Sequence, residues 1–143
     1  MKYELVKANE NDIELLINYK LNTILEYAKD IEEVEKKKIN NYVKNEIPKQ
    51  LVNYKLIKIK DNIVGCVLVR DYQDGVLLDE IYLENNFRNH KIGSQIINEI
   101  LTKNNIVYLW VYKDNKKAIK LYNRLGFKIL EETESRYFMK FKR

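Results

Sequence analysis

Three apolar runs, separated by tight turns, follow one another through the middle of the chain. Residues 57–69 hold two of these runs around the turn DN at 61–62, and the turn DG at 74–75 leads into the third run over 76–83. Isoleucine alternates with lysine in the first run, which is the period expected of a half-buried β-strand. Turn residues between such runs indicate hairpins, so three antiparallel strands in series are predicted.

Segments with helical periodicity stand on both sides of this three-stranded unit. Asn9 or Asn11 can cap a first helix, whose apolar residues recur at helical spacing from Ile13 to Ala28. Gly126 follows the last helix, where a residue that tolerates positive φ is favoured. The predicted elements are a strand over 3–7, helices over 13–28 and 31–47, the three strands, a helix from 93, a strand over 106–112, a helix over 116–125, and strands over 127–132 and 136–141. This order predicts the α/β (α+β) class, with a mixed sheet and helices on both faces.

Length and composition narrow the classes of protein to which the chain can belong. Its 143 residues favour one domain over 1–143, and no stretch has the apolar pattern of a membrane span or a signal peptide. Cys66 and His90 are the only cysteine and histidine. A Ser-His-Asp or Cys-His nucleophile and a zinc site are therefore disfavoured, and no metal is expected. A lone cysteine also fits a reducing compartment, so a cytoplasmic protein is expected.

The net charge of +5 leaves nucleic acid, a membrane surface or an anionic cofactor open as partners. Lysines and acidic residues are interspersed nearly everywhere, as in the segment EEVEKKK over 32–38. Most of this charge is therefore expected on solvated helix faces. A nucleic-acid-binding domain needs a clustered basic face, so neither nucleic acid nor a membrane is expected as a partner.

A polar turn after the third strand of the series leads directly into a helix. Backbone N–H groups at a helix N-terminus point outward unpaired, and the helix dipole adds partial positive charge there. Gly93 allows close approach of a ligand to the backbone, and Arg88, His90 and Lys91 add positive charge. This arrangement can bind a pyrophosphate, although a plain strand-turn-helix with basic residues in its loop shows the same pattern.

Two motifs in the second half of the chain resemble those of the GNAT family of N-acetyltransferases. Residues 88–93 read RNHKIG, which is similar to the family's acetyl-CoA loop, Arg/Gln-x-x-Gly-x-Gly/Ala, except that Lys91 replaces the first glycine. If that position needs a positive φ, a lysine is strained there. Residues 115–127 fill every position of the second motif, Asn-x-x-Ala-x-x-x-Tyr-x-x-x-Gly-Phe. The order of elements fits this family over nearly the whole chain, most firmly over 53–141.

The resemblance implies a GNAT fold, with a mixed, mostly antiparallel sheet of six to seven strands flanked by about four helices. It implies acetyl-CoA as co-substrate, with pantetheine lying where the strand over 76–83 splays from the strand over 106–112. The backbone of the first of these strands would polarise the thioester carbonyl, Asn115 would anchor the pantetheine, and Tyr122 would protonate the leaving thiolate. The residues implied to bind the cofactor are Ile81, Tyr82, Leu83, Arg88, Asn89, His90, Lys91, Ile92, Gly93, Ser94, Asn115, Ala118 and Tyr122.

An amine must be neutral to attack a thioester, and a nearby carboxylate can take its proton, usually through water. Asp79 and Glu80 lie beside the expected thioester, and since neighbours on a strand face opposite sides, only one is expected to reach the cleft. Glu80 is the first choice as base, although both can equally be solvated or ion-paired strand residues. An acidic pair here also resembles the diamine acetyltransferases of the superfamily. The acceptor expected is therefore the primary amine of a polyamine-like or aminoglycoside-like cation, or else a protein or peptide amine.

Six aromatic residues are further candidates to line a pocket for a cationic amine, although each alone is better explained by packing. These are Tyr54, Tyr72, Tyr82, Trp110, Tyr112 and Tyr137. An alternative function is a catalytically weak acetyl-CoA-binding sensor or regulatory module, which needs the phosphate loop but no working base. Many family members dimerise, so a homodimer is a further possible state.

Overall fold

Strands and helices follow one another in the order that the sequence predicts. The structure, a computed structural model, describes residues 1–28 and 31–143. Over these residues the elements are β1 (Glu4–Lys7), α1 (Ile13–Tyr27), α2 (Glu33–Gln50), β2 (Tyr54–Ile59), β3 (Asn62–Tyr72), β4 (Gly75–Leu83), α3 (Ile92–Lys103), β5 (Ile106–Tyr112), α4 (Lys116–Leu125), β6 (Lys128–Glu132) and β7 (Arg136–Lys142).

Two local predictions are corrected at the N-terminal end. Asn9 is the capping residue, and it caps a short 3-10 turn before α1 by accepting a hydrogen bond from the N–H of Asn11. The predicted end of the second helix at Ile47 is wrong, because α2 continues through Pro48. A proline in the last turn of a helix removes one hydrogen bond near an end that is already incomplete, so it does not stop the helix here.

The described strands form one sheet in the order β1-β2-β3-β4-β5-β7-β6. Each pair of neighbours is antiparallel except β4 and β5, which are parallel. This parallel pairing is short, since only residues 76–78 of β4 pair with 107–109 of β5. The sheet therefore opens between the C-terminal ends of these two strands. The predicted mixed, mostly antiparallel fold is confirmed.

The sheet carries helices on both faces. The face that we name the α1/α2 face buries one cluster, made of Leu16, Tyr19, Val43, Ile47, Tyr54, Leu56, Cys66 and Leu68. The opposite, α3/α4 face buries a larger cluster that includes Val67, Leu78, Ile92, Ile96, Ile97, Leu109, Val111 and Tyr122. Neighbouring residues of a strand such as Cys66 and Val67 thus supply opposite cores, as strand geometry requires.

A register shift in β4 controls which side chains reach the opening. Leu68 of β3 pairs with Glu80, and Val69 pairs with Leu78, so Asp79 is an extra residue between two ladder positions. A β-bulge of this kind interrupts the strict alternation of side chains along a strand. The carboxylates of β4 therefore need not face opposite sides of the sheet.

Candidate active site

A cavity of about 770 Å³ occupies the opening between β4 and β5. Its lining comes from six elements: α1, the C-terminal half of β4, the loop and first turn of α3, the end of β5, α4, and the start of β7. A site shared by so many elements is fixed by the whole fold rather than by one segment. It lies where the interrupted strand pairing leaves backbone groups of β4 without a partner strand.

The loop before α3 turns through two left-handed residues. Asn89 has φ 65° and Lys91 has φ 66°, and Lys91 is the cap residue of α3. The expectation that a lysine at this position is strained is therefore met, because the left-handed region costs a non-glycine residue roughly 1–2 kcal/mol. The backbone of Lys91 thus adopts a conformation that glycine takes without strain.

Gly93 lies in the first turn of α3 and lines the cavity. A Cβ atom built on it would meet only the Leu83 Cδ1 atom, at 4.0 Å, so the side of Gly93 that faces the cavity is open. A ligand can therefore approach the backbone of this turn directly. The N–H groups at the start of a helix attract anions in such a position.

Arg88 is engaged within the protein rather than directed at the cavity alone. Its Nε donates to the carbonyl oxygen of Leu83 at 2.7 Å, and its Nη1 donates to the two Glu26 carboxylate oxygens at 3.0 and 3.2 Å. Its guanidinium also lies 5.3 Å from the ring centroid of Tyr82. Arg88 thus connects the end of β4 to the end of α1, and Glu26 neutralises part of the charge expected to face a phosphate.

Helix α4 contributes Asn115 and Tyr122, and both line the cavity. Asn115 is the N-cap of α4, since its Oδ1 accepts from the N–H of Ala118 at 3.3 Å. The sequence motif alone did not indicate this capping role. Because capping uses only the Oδ1 atom, the amide NH2 group of Asn115 stays available to a ligand. Tyr122 is 7% exposed and packs against Phe127. Burial, followed by the influence of Tyr27, raises the pKa of Tyr122 to about 12.

Glu80 is the most deeply buried carboxylate in the described part of the chain, at 6% exposure. Its Oε1 accepts from the Tyr54 hydroxyl at 2.5 Å, and its Oε2 accepts from the Cys66 Sγ at 3.4 Å. Burial raises the pKa of Glu80, while the charge of Lys20 and these two hydrogen bonds oppose the rise. Burial likewise raises the pKa of the Cys66 thiol.

The expectation that only one of the two acidic residues reaches the cleft is wrong. Asp79 and Glu80 both line the cavity, because the bulge at Asp79 interrupts the alternation of β4. The two are not equivalent, however. Asp79 is ion-paired with Arg70 at 2.9 Å, whereas Glu80 is held by the neutral donors Tyr54 and Cys66.

Most of the residues expected to bind the cofactor line the cavity, but four do not. The four outside the lining are His90, Lys91, Ile92 and Ser94, and the Ile92 side chain is fully buried in the α3/α4 core. The residues that do line the cavity are Ile81, Tyr82, Leu83, Arg88, Asn89, Gly93, Asn115, Ala118 and Tyr122.

The aromatic candidates separate in the same way. Tyr82, Trp110 and Tyr112 line the cavity, whereas Tyr54 lies beneath Glu80, and Tyr72 and Tyr137 pack elsewhere on the sheet. Tyr27 of α1 stacks on Tyr112 with ring centroids 5.9 Å apart, so α1 reaches across the opening to the end of β5.

Among the cationic residues of the cavity that sequence reasoning missed, two lie outside both family motifs. Lys20 and Arg136 both line it, from α1 and from the start of β7. Neither stands in a motif, and only their separate positions on a cavity-facing helix and strand bring them together. The one sequence signal for Lys20 is its helical spacing from Thr23 and Tyr27, which places the three residues on one face of α1. All three line the cavity.

A comparison of sequence families identifies the class of protein that this fold and site define. The sequence matches the Acetyltransferase (GNAT) family over residues 20–127, so the chain belongs to this family. The sequence-based identification of an N-acetyltransferase is thereby confirmed. No curated protein sequence matches the chain.

Solved structures agree on the fold. The chain is 21% identical to PaiA N-acetyltransferase of Thermoplasma acidophilum in complex with coenzyme A, with a TM-score of 0.80 and 100% of both chains covered. It is 15% identical to Ard1 of Thermoplasma volcanium, with a TM-score of 0.72, over 99% of this chain and 98% of that one. A GNAT family acetyltransferase of Elizabethkingia anophelis with acetyl-CoA bound is 15% identical, with a TM-score of 0.59, over 69% of this chain and 82% of that one.

Two further observations bear on ligands and surroundings. No helix in the described residues is long and apolar enough to cross a membrane. Within residues 1–28 and 31–143, no three His, Cys, Asp or Glu side chains come close enough together to hold a metal ion.

Proposed function

We propose that this chain transfers the acetyl group of acetyl-CoA to a primary amine by direct attack in a ternary complex. Family membership supports acetyl-CoA as donor, as do the complex of PaiA with coenzyme A and that of the Elizabethkingia protein with acetyl-CoA. The observation that carries the proposal is the opening between β4 and β5, which Glu80 and Tyr122 both line. A base and an acid on one cavity are what amine acetylation requires.

The residues present fit the donor. The open side of Gly93 and the left-handed turn through Lys91 leave backbone N–H groups of the α3 N-terminus free to hold a pyrophosphate. Among the described strands, none pairs with the edge of β4 over residues 79–83 on the β5 side, so this edge can bond an extended pantetheine as an added strand would. One of these N–H groups would polarise the thioester carbonyl. Asn115 would hold the other side of the pantetheine through its free NH2 group.

Glu80 is assigned the base. Its raised pKa makes it a better proton acceptor than an exposed carboxylate, provided that the pH stays above that pKa. Since Tyr54 and Cys66 occupy one position on each oxygen, the remaining lone pairs take the amine proton through a water molecule. Tyr122 is assigned the acid, since a hydroxyl with a pKa of about 12 holds its proton until a thiolate leaves.

The experiment is a thiol-release assay with acetyl-CoA against polyamines, aminoglycosides, amino acids and peptides, beside calorimetric titration with coenzyme A. We expect binding of coenzyme A and turnover with one class of amine. Binding without turnover would support the sensor module instead. Absence of binding would contradict the proposal at its first step, because it would mean that the loop through Lys91 does not hold the phosphates.

A further inference from the structure

The acceptor side of the cavity lies on the α1/α2 face of the sheet. Glu80 packs among Tyr54 and Cys66, which belong to the core of that face. Trp110 packs with the hydrophobic cluster of Leu77, Tyr108 and Phe138, while its neighbours Leu109 and Val111 supply the opposite core. The side chains and helix N-terminus assigned to the donor, by contrast, come from α3 and α4 on the other face, and they are completed by the backbone edge of β4.

Arg136 extends this side at the start of β7. It pairs with Tyr112 at the end of β5, and its guanidinium carbon lies 4.6 Å from the ring centroid of Trp110. Stacking on an aromatic ring fixes the plane of a guanidinium and leaves its N–H edges free to donate. The edges of Arg136 are therefore oriented donors at the wall of the cavity.

Lys20 supplies a second cation from α1. It lines the same cavity, and its charge is close enough to lower the pKa of Glu80. Among the described residues, neither Lys20 nor Arg136 has a carboxylate within ion-pair distance. Of the other acidic residues that line the cavity, Asp79 pairs with Arg70 and Glu26 pairs with Arg88. Asp114 lies in the loop before α4, next to Asn115, which is assigned to the donor.

A polycation is poorly matched to this side of the cavity. Two cations without carboxylate partners would repel its second charge, and the carboxylate left without an ion pair on this side of the cavity is Glu80, which the reaction needs as base. An anionic group on the acceptor would instead meet a fork of donors from Arg136 and a point charge from Lys20. A carboxylate has the geometry that such a fork binds best.

From this juxtaposition, and resting on the proposed function, we propose that the acceptor is a small amine that also carries a carboxylate, as an amino acid does. Arg136 and Lys20 hold the carboxylate, and the amine points to Glu80. The amine nitrogen then bonds the acetyl carbon, the thioester C–S bond breaks, the amine proton goes to Glu80 through water, and the thiolate takes its proton from Tyr122.

The experiment compares matched acceptors that differ by one carboxylate. Glycine, β-alanine, γ-aminobutyrate, ornithine and lysine are each assayed against the decarboxylated amine, with thiol release as the readout. We expect the carboxylate-bearing member of at least one pair to be preferred in kcat/KM by about 10- to 100-fold, the worth of a charged hydrogen-bonded contact. Arg136→Gln should largely abolish this preference, and Arg136→Lys should restore it in part. Lys142→Gln, which changes an exposed cation of the same strand, should leave it intact.

Three outcomes would overturn the inference. In the first, plain diamines or aminoglycosides are the better substrates. In the second, the preference for the carboxylate-bearing amine survives in both Arg136→Gln and Lys20→Met. In the third, no member of these acceptor pairs is acetylated while a peptide amine is. Each of these leaves the proposed acetyltransferase standing. Loss of coenzyme A binding, or the absence of turnover with every amine, would instead remove the proposed function and this inference together.

Discussion

The two sides of the active-site cavity are built from different parts of the chain. On the donor side, the groups that face the ligand are mainly backbone: the left-handed turn at Lys91, the first turn of α3 at Gly93, and the unpaired edge of β4. On the acceptor side they are side chains, chiefly Glu80 and Arg136. The first kind of site depends on φ and ψ, and the second depends on which residues stand at a few positions.

This difference explains how each side can vary. A backbone N–H donates whatever side chain its residue carries, so the donor side keeps its geometry with Lys91 in place of glycine. A single substitution on the acceptor side changes a charge or removes a base. We therefore infer that the donor side carries what the family shares, whereas the acceptor side selects the substrate. The following variants test the two sides against each other.

The largest effect is expected from Glu80→Gln. Loss of the base should lower kcat/KM by about 10²–10⁴-fold and flatten the acid limb of the pH–rate profile. The sign follows from the raised pKa: wild-type activity falls as the pH falls through the pKa of Glu80, and the variant has no such group. Affinity for coenzyme A, measured by calorimetry, should not change.

Asp79→Asn is the matched control for Glu80→Gln. It removes the neighbouring charge and the ion pair with Arg70, while the base and its two hydrogen bonds stay. We expect the acid limb to persist in this variant. If Asp79→Asn flattens the limb and Glu80→Gln does not, the roles of the two carboxylates are exchanged.

Tyr122→Phe should have the next largest effect, a loss of about 10²–10³-fold in kcat, as for removal of a general acid. The ring still packs against Phe127, so neither folding nor affinity for coenzyme A should change. A pKa of about 12 keeps the hydroxyl protonated over the working range, so the variant should not alter the pH profile. Tyr137→Phe, outside the cavity lining, is the control, and equal rates for the two variants would remove Tyr122 from the acid role.

The sequence predicts the strands and helices of the proposed donor side because their signals are local. The three-strand series, the motif over 115–127 and the glycine at 93 each depend on residues close together in the chain. The short parallel pairing of β4 and β5, which creates the cavity, follows from the resemblance to the family and not from any one segment.

Part of the proposed acceptor side could not be predicted in the same way, for two physical reasons. Side chains alternate between the two faces of a regularly paired strand, but the bulge at Asp79 depends on how β3 pairs with β4. No turn residue in the sequence indicates this bulge. Lys20 and Arg136 are far apart in sequence, and only the packing of α1 across the end of β5 brings them to one cavity.

Tyr54→Phe tests whether the acceptor side acts as a network. The Tyr54 hydroxyl stabilises the ionised form of Glu80, so its loss should raise the pKa of Glu80 further and move the acid limb to higher pH. Within the acid limb the rate should fall about 3- to 10-fold, the worth of roughly one hydrogen bond. Recovery at higher pH separates this effect from a folding defect, because misfolded protein would not regain activity. An unmoved limb would mean that Tyr54 only packs.

The smallest effect is expected on the donor side, from Lys91→Gly. Glycine removes the left-handed strain, so the free energy of unfolding should rise by about 1 kcal/mol, measured by urea denaturation. Lys91→Ala is the matched control, since it removes the same charge and keeps a Cβ at φ 66°. We expect coenzyme A affinity to change less than about 3-fold in both, as for an exposed charge. Equal stability of the two variants would contradict the strain, and a large loss of affinity in both would mean that the lysine side chain, rather than the backbone, holds the phosphates.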